Sequence, residues 1–265
     1  MHDERPAAAE SPRDPAVQGR QAAPASDARP AFYALAGGGW RDYVTLVHPP
    51  YTVWHLSYVA IGAGLPETID FARLGATLAA FFLAMGIGAH ALDELEGRPL
   101  HTRIPQPMLV LLAATSIGGA LAIGVVSCFW INPWLAPFIA FGGFIVVAYN
   151  VELFGGAFHN GFWFAFAWGA FPVLTGYFAQ AETVGGSALL AAAFATLLSY
   201  VQRTLSTPVR LVRRSITSVS GTIDFADGRR EPVTANTLMR EPERALRALS
   251  AAIAVLAAAL ILARV

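Results

Sequence analysis

The stretch AHALDELEGRPLHTRIP, residues 89–105, holds the carboxylates Asp93, Glu94 and Glu96, followed by Arg98, His101 and Arg103. It closes a long apolar run, so charge arrives abruptly. His90, Asp93 and Glu94 stand at i, i+3 and i+4, which places them on one face of a helix. Oxygen ligands there suit Mg²⁺, which takes one or two carboxylates and completes its shell with substrate phosphate and water. His90 with Glu94 would suit a transition metal instead. The plain alternative is the water-facing end of a helix, acids followed by arginines as its solvated cap.

Two more groups of residues could complete a site. AYNVELFGGAFHN brings Tyr149, Asn150, Glu152, His159 and Asn160, and SYVQRTLSTPVRLVRR brings Tyr200, Gln202, Arg203, Arg210, Arg213 and Arg214. Glu152 has no cationic neighbour in its GGAFHN setting, which favours a cavity-lining acid over a solvated one. His55 lies inside the apolar segment TVWHLSYV. A polar group so placed faces the bundle interior, as a bonded neutral ring or as a ligand. His48 and His159 fall at segment ends and read as ordinary polar residues. No paired-histidine motif is present, so haem and iron are not expected.

The elements that carry these residues belong to a membrane protein. The chain has 265 residues, 55% hydrophobic and 14% charged, where a soluble domain has about 25% charged. Formal net charge is zero, so no overall basic field favours nucleic acid. Every basic residue is Arg, a compositional bias of the kind a GC-rich genome gives. The lone Cys128 excludes an internal disulfide and a cysteine-held metal cluster. Residues 1–38, rich in Ala, Pro and charge, are expected to be a disordered cytoplasmic tail. The stretch GGGWRDYVTLVHPP comes next as a short amphipathic segment, with Trp40 and Tyr43 suited to the bilayer interface.

Residues 39–265 then form the membrane-embedded domain. Apolar segments of spanning length fall at about 50–66, 72–92, 108–129, 134–151, 161–180, 186–203 and 244–263, which predicts an all-α polytopic bundle of about seven helices. With the N-terminus inside, inner loops hold Arg98, Arg103, Arg203, Arg210, Arg213, Arg214, Arg229, Arg230, Arg240, Arg244 and Arg247, and outer connections hold Arg73. The excess of arginine on one side sets that orientation, in a bacterial inner membrane. The inner loop 204–243 is predicted as a helix started by Ser206 or Thr207 with Pro208 at its first position. It is expected to run to about 216, ahead of a hairpin around ADGR. All three polar groups fall on the inner side.

Three stretches carry a family resemblance. LVHPPYTVWHLSYVAIGAGL resembles a first span that begins near an Arg-Pro pair, with His48 where the Arg would stand. ALDELEGRPL resembles a first Asp-rich motif and the Arg-Pro-Leu after it. AYNVELFGGAFHNGFWFAFAWGAFPVLTGYFAQ resembles a fourth loop and fifth span, with Gly169, Pro172 and Gly176 spaced Gly-x-x-Pro-x-x-x-Gly. Over about residues 40–215 the chain thus resembles the UbiA-type superfamily of intramembrane prenyltransferases. The resemblance implies transfer of a prenyl group from a prenyl diphosphate to an aromatic or lipid acceptor. It implies Mg²⁺ on Asp93 and Glu94 with Glu96 in support, and Arg203 and Arg210 on the diphosphate. Glu152 or His159 would position the acceptor, and His90, Arg98, Tyr149, Asn150 and Gln202 would line the substrate site. The family's first motif, Asn-Asp-x-x-Asp-x-x-x-Asp, reads Ala89, His90, Asp93 and Gly97 here, with one acid in register. Its second Asp-rich motif is absent from TLSTPVRLVRRS, and its usual nine spans are about seven. These departures keep open a non-catalytic member that binds an isoprenoid or lipid, or serves as a partner in a membrane complex.

Overall fold

The computed structural model describes residues 29–265; the expected tail over 1–28 lies outside the described residues. A short helix α1 (Trp40–Leu46) leads through His48 into α2 (Pro49–Gly64). Then come α3 (Phe71–Leu95), α4 (Gln106–Trp130), α5 (Pro133–Asn150), α6 (Gly161–Ala181) and α7 (Gly186–Arg214). A hairpin of β1 (Thr222–Asp224) and β2 (Arg230–Pro232) precedes α8 (Ala235–Leu262). The helices α3 to α8 are the six long and apolar enough to cross a membrane. The chain is therefore a helical membrane bundle. Exposed apolar side chains such as Phe129, Leu190, Leu197 and Val255 give it a lipid-facing surface.

Helix starts obey local chemistry. Asp70 accepts from Ala72 N and Arg73 N, Asn132 from Trp134 N, and Asn160 from Trp163 N. Thr234 and Thr237 cap α8 reciprocally, so first-turn N–H groups find acceptors.

The first predicted span differs from the rest. α2 has 16 residues, about 24 Å at 1.5 Å per residue, short of the ~30 Å hydrocarbon core. It lies inside the bundle, against α6 and α8. Trp54 and Tyr58 are fully buried, packed with Val173, Ala195 and Ile253. Trp54 donates to the Tyr58 hydroxyl at 2.7 Å. Gly62 and Gly176 let the backbones of α2 and α6 touch: a Cβ on either would strike the carbonyl of Val173 or Val59. Small residues serve this purpose between membrane helices.

The helices alternate direction. At one end Arg73 pairs with Glu182 at 2.9 Å, Asn132 donates to Glu182 at 3.1 Å, and Arg264 donates to the Gly64 carbonyl at 3.0 Å. The opposite end gathers the ends of α3, α5 and α7 and the starts of α2, α4, α6 and α8.

Two local expectations change. Pro208 does not begin a new helix; α7 runs through it to Arg214. Thr207 Oγ1 donates back to the Arg203 carbonyl at 2.8 Å instead of capping. α8 likewise starts at Ala235 and passes through Pro242, so the connection between α7 and α8 narrows to residues 215–234. The ADGR hairpin is present, with Thr222 opposite Pro232 and Gly228 at φ 84° in its turn.

Candidate functional site

Helix α3 widens to a π-helical turn over Phe82–Ala89 before tightening at His90. Such turns insert a residue and re-aim the side chains beyond it, often at functional sites. His90 Nδ1 donates to the Gly86 carbonyl at 3.0 Å, which leaves Nε2 as the ring's bare nitrogen. Successive helical residues turn by 100°, so Asp93 and Glu94 flank the His90 direction on opposite sides. Asp93 falls on the side of a cavity, and Glu94 on the side of the loop after the helix.

That cavity, of about 440 Å³, opens at the arginine-rich end of the bundle. It brings together eight of the residues predicted from sequence. His90 and Asp93 come from α3, Tyr149 and Asn150 from α5, and Gln202, Arg203 and Arg210 from α7; His159 comes from the turn before α6. On the continuous α7, Arg203, Arg210 and Arg214 are spaced i, i+7, i+11 and share one face. Arg203 donates to the Tyr149 hydroxyl at 2.6 Å and lies over the Phe164 ring at 5.3 Å. Tyr149 stacks on His159 at 4.4 Å. Among the described residues no carboxylate pairs with Arg203, Arg210 or Arg214, whereas Arg213 is held by Glu243 at 2.7 Å.

Four predicted residues lie elsewhere. Glu94 is fully buried and serves the loop: its carboxylate accepts from Leu100 N at 2.9 Å and from Thr102 N and Oγ1, both at 2.8 Å. Arg98 donates to the carbonyls of Thr102 and Ile104, at 3.3 and 2.6 Å, and braces the same loop. Glu96 is exposed beyond the end of α3. Glu152, expected to line the cavity, sits outside it. Its side chain is 65% exposed, 3.5 Å from His159 on the rim, because α5 ends at Asn150 and Glu152 turns left-handed at φ 50°.

Several cavity residues carried no signal that sequence reasoning used. Residues 29–35, expected to be part of the disordered tail, instead cover the cavity. Pro30, Ala31, Phe32 and Tyr33 line it, and Ala31 and Ala34 pack on Leu100. Phe32, Tyr33 and Leu35 form a small apolar cluster in an otherwise Ala, Pro and charge-rich stretch, and that was the available clue. The Tyr33 hydroxyl meets His48 Nδ1 at 2.7 Å, and His48 stacks on His90 at 4.0 Å. His48 itself is left-handed, φ 49°, with Thr52 Oγ1 bonded to the adjacent Val47 carbonyl. Sparse backbone conformations of this kind cluster at functional sites. Burial, then the neighbouring Tyr51, holds the Tyr33 hydroxyl protonated well past its ordinary range. Burial, then His90, Arg214 and Arg210, holds His48 well below the usual imidazole value. The pair therefore reads as Tyr33 O–H donating to Nδ1 of a neutral ring, with the His48 proton on Nε2. That Nε2 is buried without a partner, as is Gln202 Oε1. His55, also on the cavity wall, has no partner at either ring nitrogen. Buried polar atoms ordinarily have partners; these, on residues that line the cavity, have none among the described residues.

A second, apolar space of about 120 Å³ runs between α3, α4, α5 and α6, walled by Phe81, Met85, Ile117, Phe138 and Phe171. Trp168, on a π-helical turn of α6 at Phe166–Ala170, belongs to both walls. The polar cavity and the apolar groove are thus neighbours across one indole.

The two-carboxylate Mg²⁺ site expected on Asp93 and Glu94 is not formed. Asp93 is the one carboxylate among the described residues that lines the cavity, and both Glu94 oxygens are committed to backbone and hydroxyl donors. No cluster of three metal-ligating side chains occurs among the described residues. Compared with protein-family models, curated proteins and solved structures, the chain matches none.

Proposed function

We propose that this chain is a UbiA-like intramembrane protein that takes a prenyl diphosphate. The headgroup would occupy the arginine- and histidine-lined cavity, and the first part of the prenyl chain the apolar groove beside Trp168. The rest of the chain would lie among lipid tails. One observation carries the reading: a cationic cavity with unpartnered polar atoms shares a wall with an apolar groove inside a membrane bundle. A charged head on a greasy tail is the ligand chemistry that uses both. The arginine-rich end would face the cytoplasm, by the excess of basic residues there.

The reaction this arrangement could serve is prenyl transfer. The allylic C–O bond breaks, and its electron pair leaves with the diphosphate. Arg203, Arg210 and Arg214 neutralise the departing charge. Tyr149, Phe164 and Trp168 line the cavity, and their aromatic rings would stabilise the allylic cation. An aromatic or lipid acceptor supplies the new bonding pair and releases a proton. The second reading, binding without turnover, is favoured by the scarcity of carboxylates around the cavity.

Full-length protein in lipid nanodiscs, given labelled farnesyl and geranylgeranyl diphosphates, separates these. Retention of diphosphate over farnesol, with label passing to an acceptor, supports transfer. Retention without turnover supports binding alone. Equal retention of farnesol and its diphosphate would sink both.

A further inference from the structure

We infer that the cavity holds its phosphate headgroup without a divalent cation, using the guanidiniums of Arg203, Arg210 and Arg214. This rests on the amphiphile reading above and adds how the headgroup is bound. Four arginines line the cavity; Arg213 is neutralised by Glu243, and the other three against the one carboxylate, Asp93, leave an excess of two positive charges. A phosphate or diphosphate monoester carries charge of that order. Guanidinium forks match phosphate oxygens two at a time, which removes the need for a bridging metal. The arginines are also pre-positioned. Arg203 is tied to Tyr149, Arg210 Nη2 donates to Thr207 Oγ1 at 3.3 Å, and Arg214 Nε to the Pro30 carbonyl at 3.4 Å.

His48 provides the independent observation. It is buried, 8% exposed, and its Nε2 has no partner. Tyr33 and the left-handed backbone fix its ring beside the cavity, with its unpartnered N–H sealed just behind the lining. The second carboxylate that the expected Mg²⁺ site would use, Glu94, is turned to the loop, and Asp93 stands alone among three unpaired guanidiniums. In this arrangement Asp93 opposes the anion.

The test uses full-length protein in nanodiscs, stripped with EDTA, and the probes farnesyl diphosphate and inorganic pyrophosphate. Farnesyl diphosphate is expected to bind equally well in EDTA and in millimolar Mg²⁺, and more tightly than pyrophosphate. Arg203→Gln, Arg210→Gln and Arg214→Gln should each weaken it by about tenfold or more, the usual weight of a hydrogen bond to a charged group. The Arg→Lys versions, which keep the charge but not the fork, should recover part of the loss; variants are compared only where the melting temperature is retained. Asp93→Asn should tighten binding, because it removes the one negative charge beside the anion. Binding that appears only with Mg²⁺, or is lost in Asp93→Asn, overturns the metal-free site while leaving the amphiphile reading intact. Metal-free binding of pyrophosphate as tight as that of farnesyl diphosphate supports the anion site and removes the amphiphile reading. No binding of either probe under any condition overturns both.

Discussion

Glu94 separates a loop-organising carboxylate from a metal ligand, and Glu94→Gln tests which it is. The side chain is fully buried at the end of α3, with three donors aimed at its two oxygens. The loop it serves takes left-handed backbone at Gly97, Arg98 and His101, so its N–H groups point inward and need an acceptor. In the amide, the remaining oxygen can keep the Thr102 pair, but the new NH₂ faces the Leu100 N–H. One charge-assisted bond is lost, about 1.5–3 kcal/mol, and two others fall to neutral strength, about 1 kcal/mol each. The sum is about 4 kcal/mol. At ~2–4 °C per kcal/mol for a chain of this size, melting in detergent should fall by roughly 10 °C, with or without Mg²⁺. Asp93→Asn, one residue away but facing the cavity, should melt near wild type. If Glu94→Gln melts normally while Mg²⁺ no longer stabilises the protein, the reasoning is refuted and Glu94 is a ligand.

Packing and burial give three further outcomes. Arg213→Met leaves Glu243, nine-tenths buried, without its 2.7 Å partner; breaking such a pair costs about 3–5 kcal/mol. Chemical denaturation should show that loss, and Arg213→Met combined with Glu243→Leu should recover most of it. Gly62→Ala and Gly176→Ala force backbones apart and should cost about 1–3 kcal/mol or more each, whereas Gly75→Ala, whose Cβ meets nothing within 4 Å, should be neutral or stabilising; equal melting of all three would contradict the close α2–α6 contact. His48 is held neutral in the fold by burial and its cationic neighbours. Its contribution is complete above about pH 6.5 and is lost as pH falls below it, by up to ~1.4 kcal/mol per unit. His48→Gln should flatten that part of the stability–pH curve, and an unchanged slope would deny the buried neutral ring.

The helices were legible because spanning length is written in apolar runs, and Asn, Pro and Gly break them at Asn132, Pro133 and Gly185. α2 was legible as a helix but not as an interior one, since its Trp54, Tyr58 and Gly62 acquire meaning only against α6 and α8. The gathering of polar groups at one end was legible from the alternation of loops. The inner arginine face was not: reading Pro208 as a helix start hid the i, i+7, i+11 spacing of Arg203, Arg210 and Arg214. A proline in a helix interior leaves one carbonyl without its N–H, a cost that side-chain bonds and packing can absorb. Glu94 and Asp93 looked equivalent because spacing does not say which side of a helix faces a loop and which a cavity. The cover formed by Phe32 and Tyr33 escaped because its surroundings have disorder-like composition.

The most direct measurement is photo-crosslinking with a prenyl diphosphate bearing a diazirine on its chain, in nanodiscs, with adducts mapped by mass spectrometry. The account predicts adducts around Met85, Phe138 and Phe171, suppressed by excess farnesyl diphosphate and diminished in Arg203→Gln. Adducts confined to the outer faces of α4 and α8, indifferent to competitor, would contradict it.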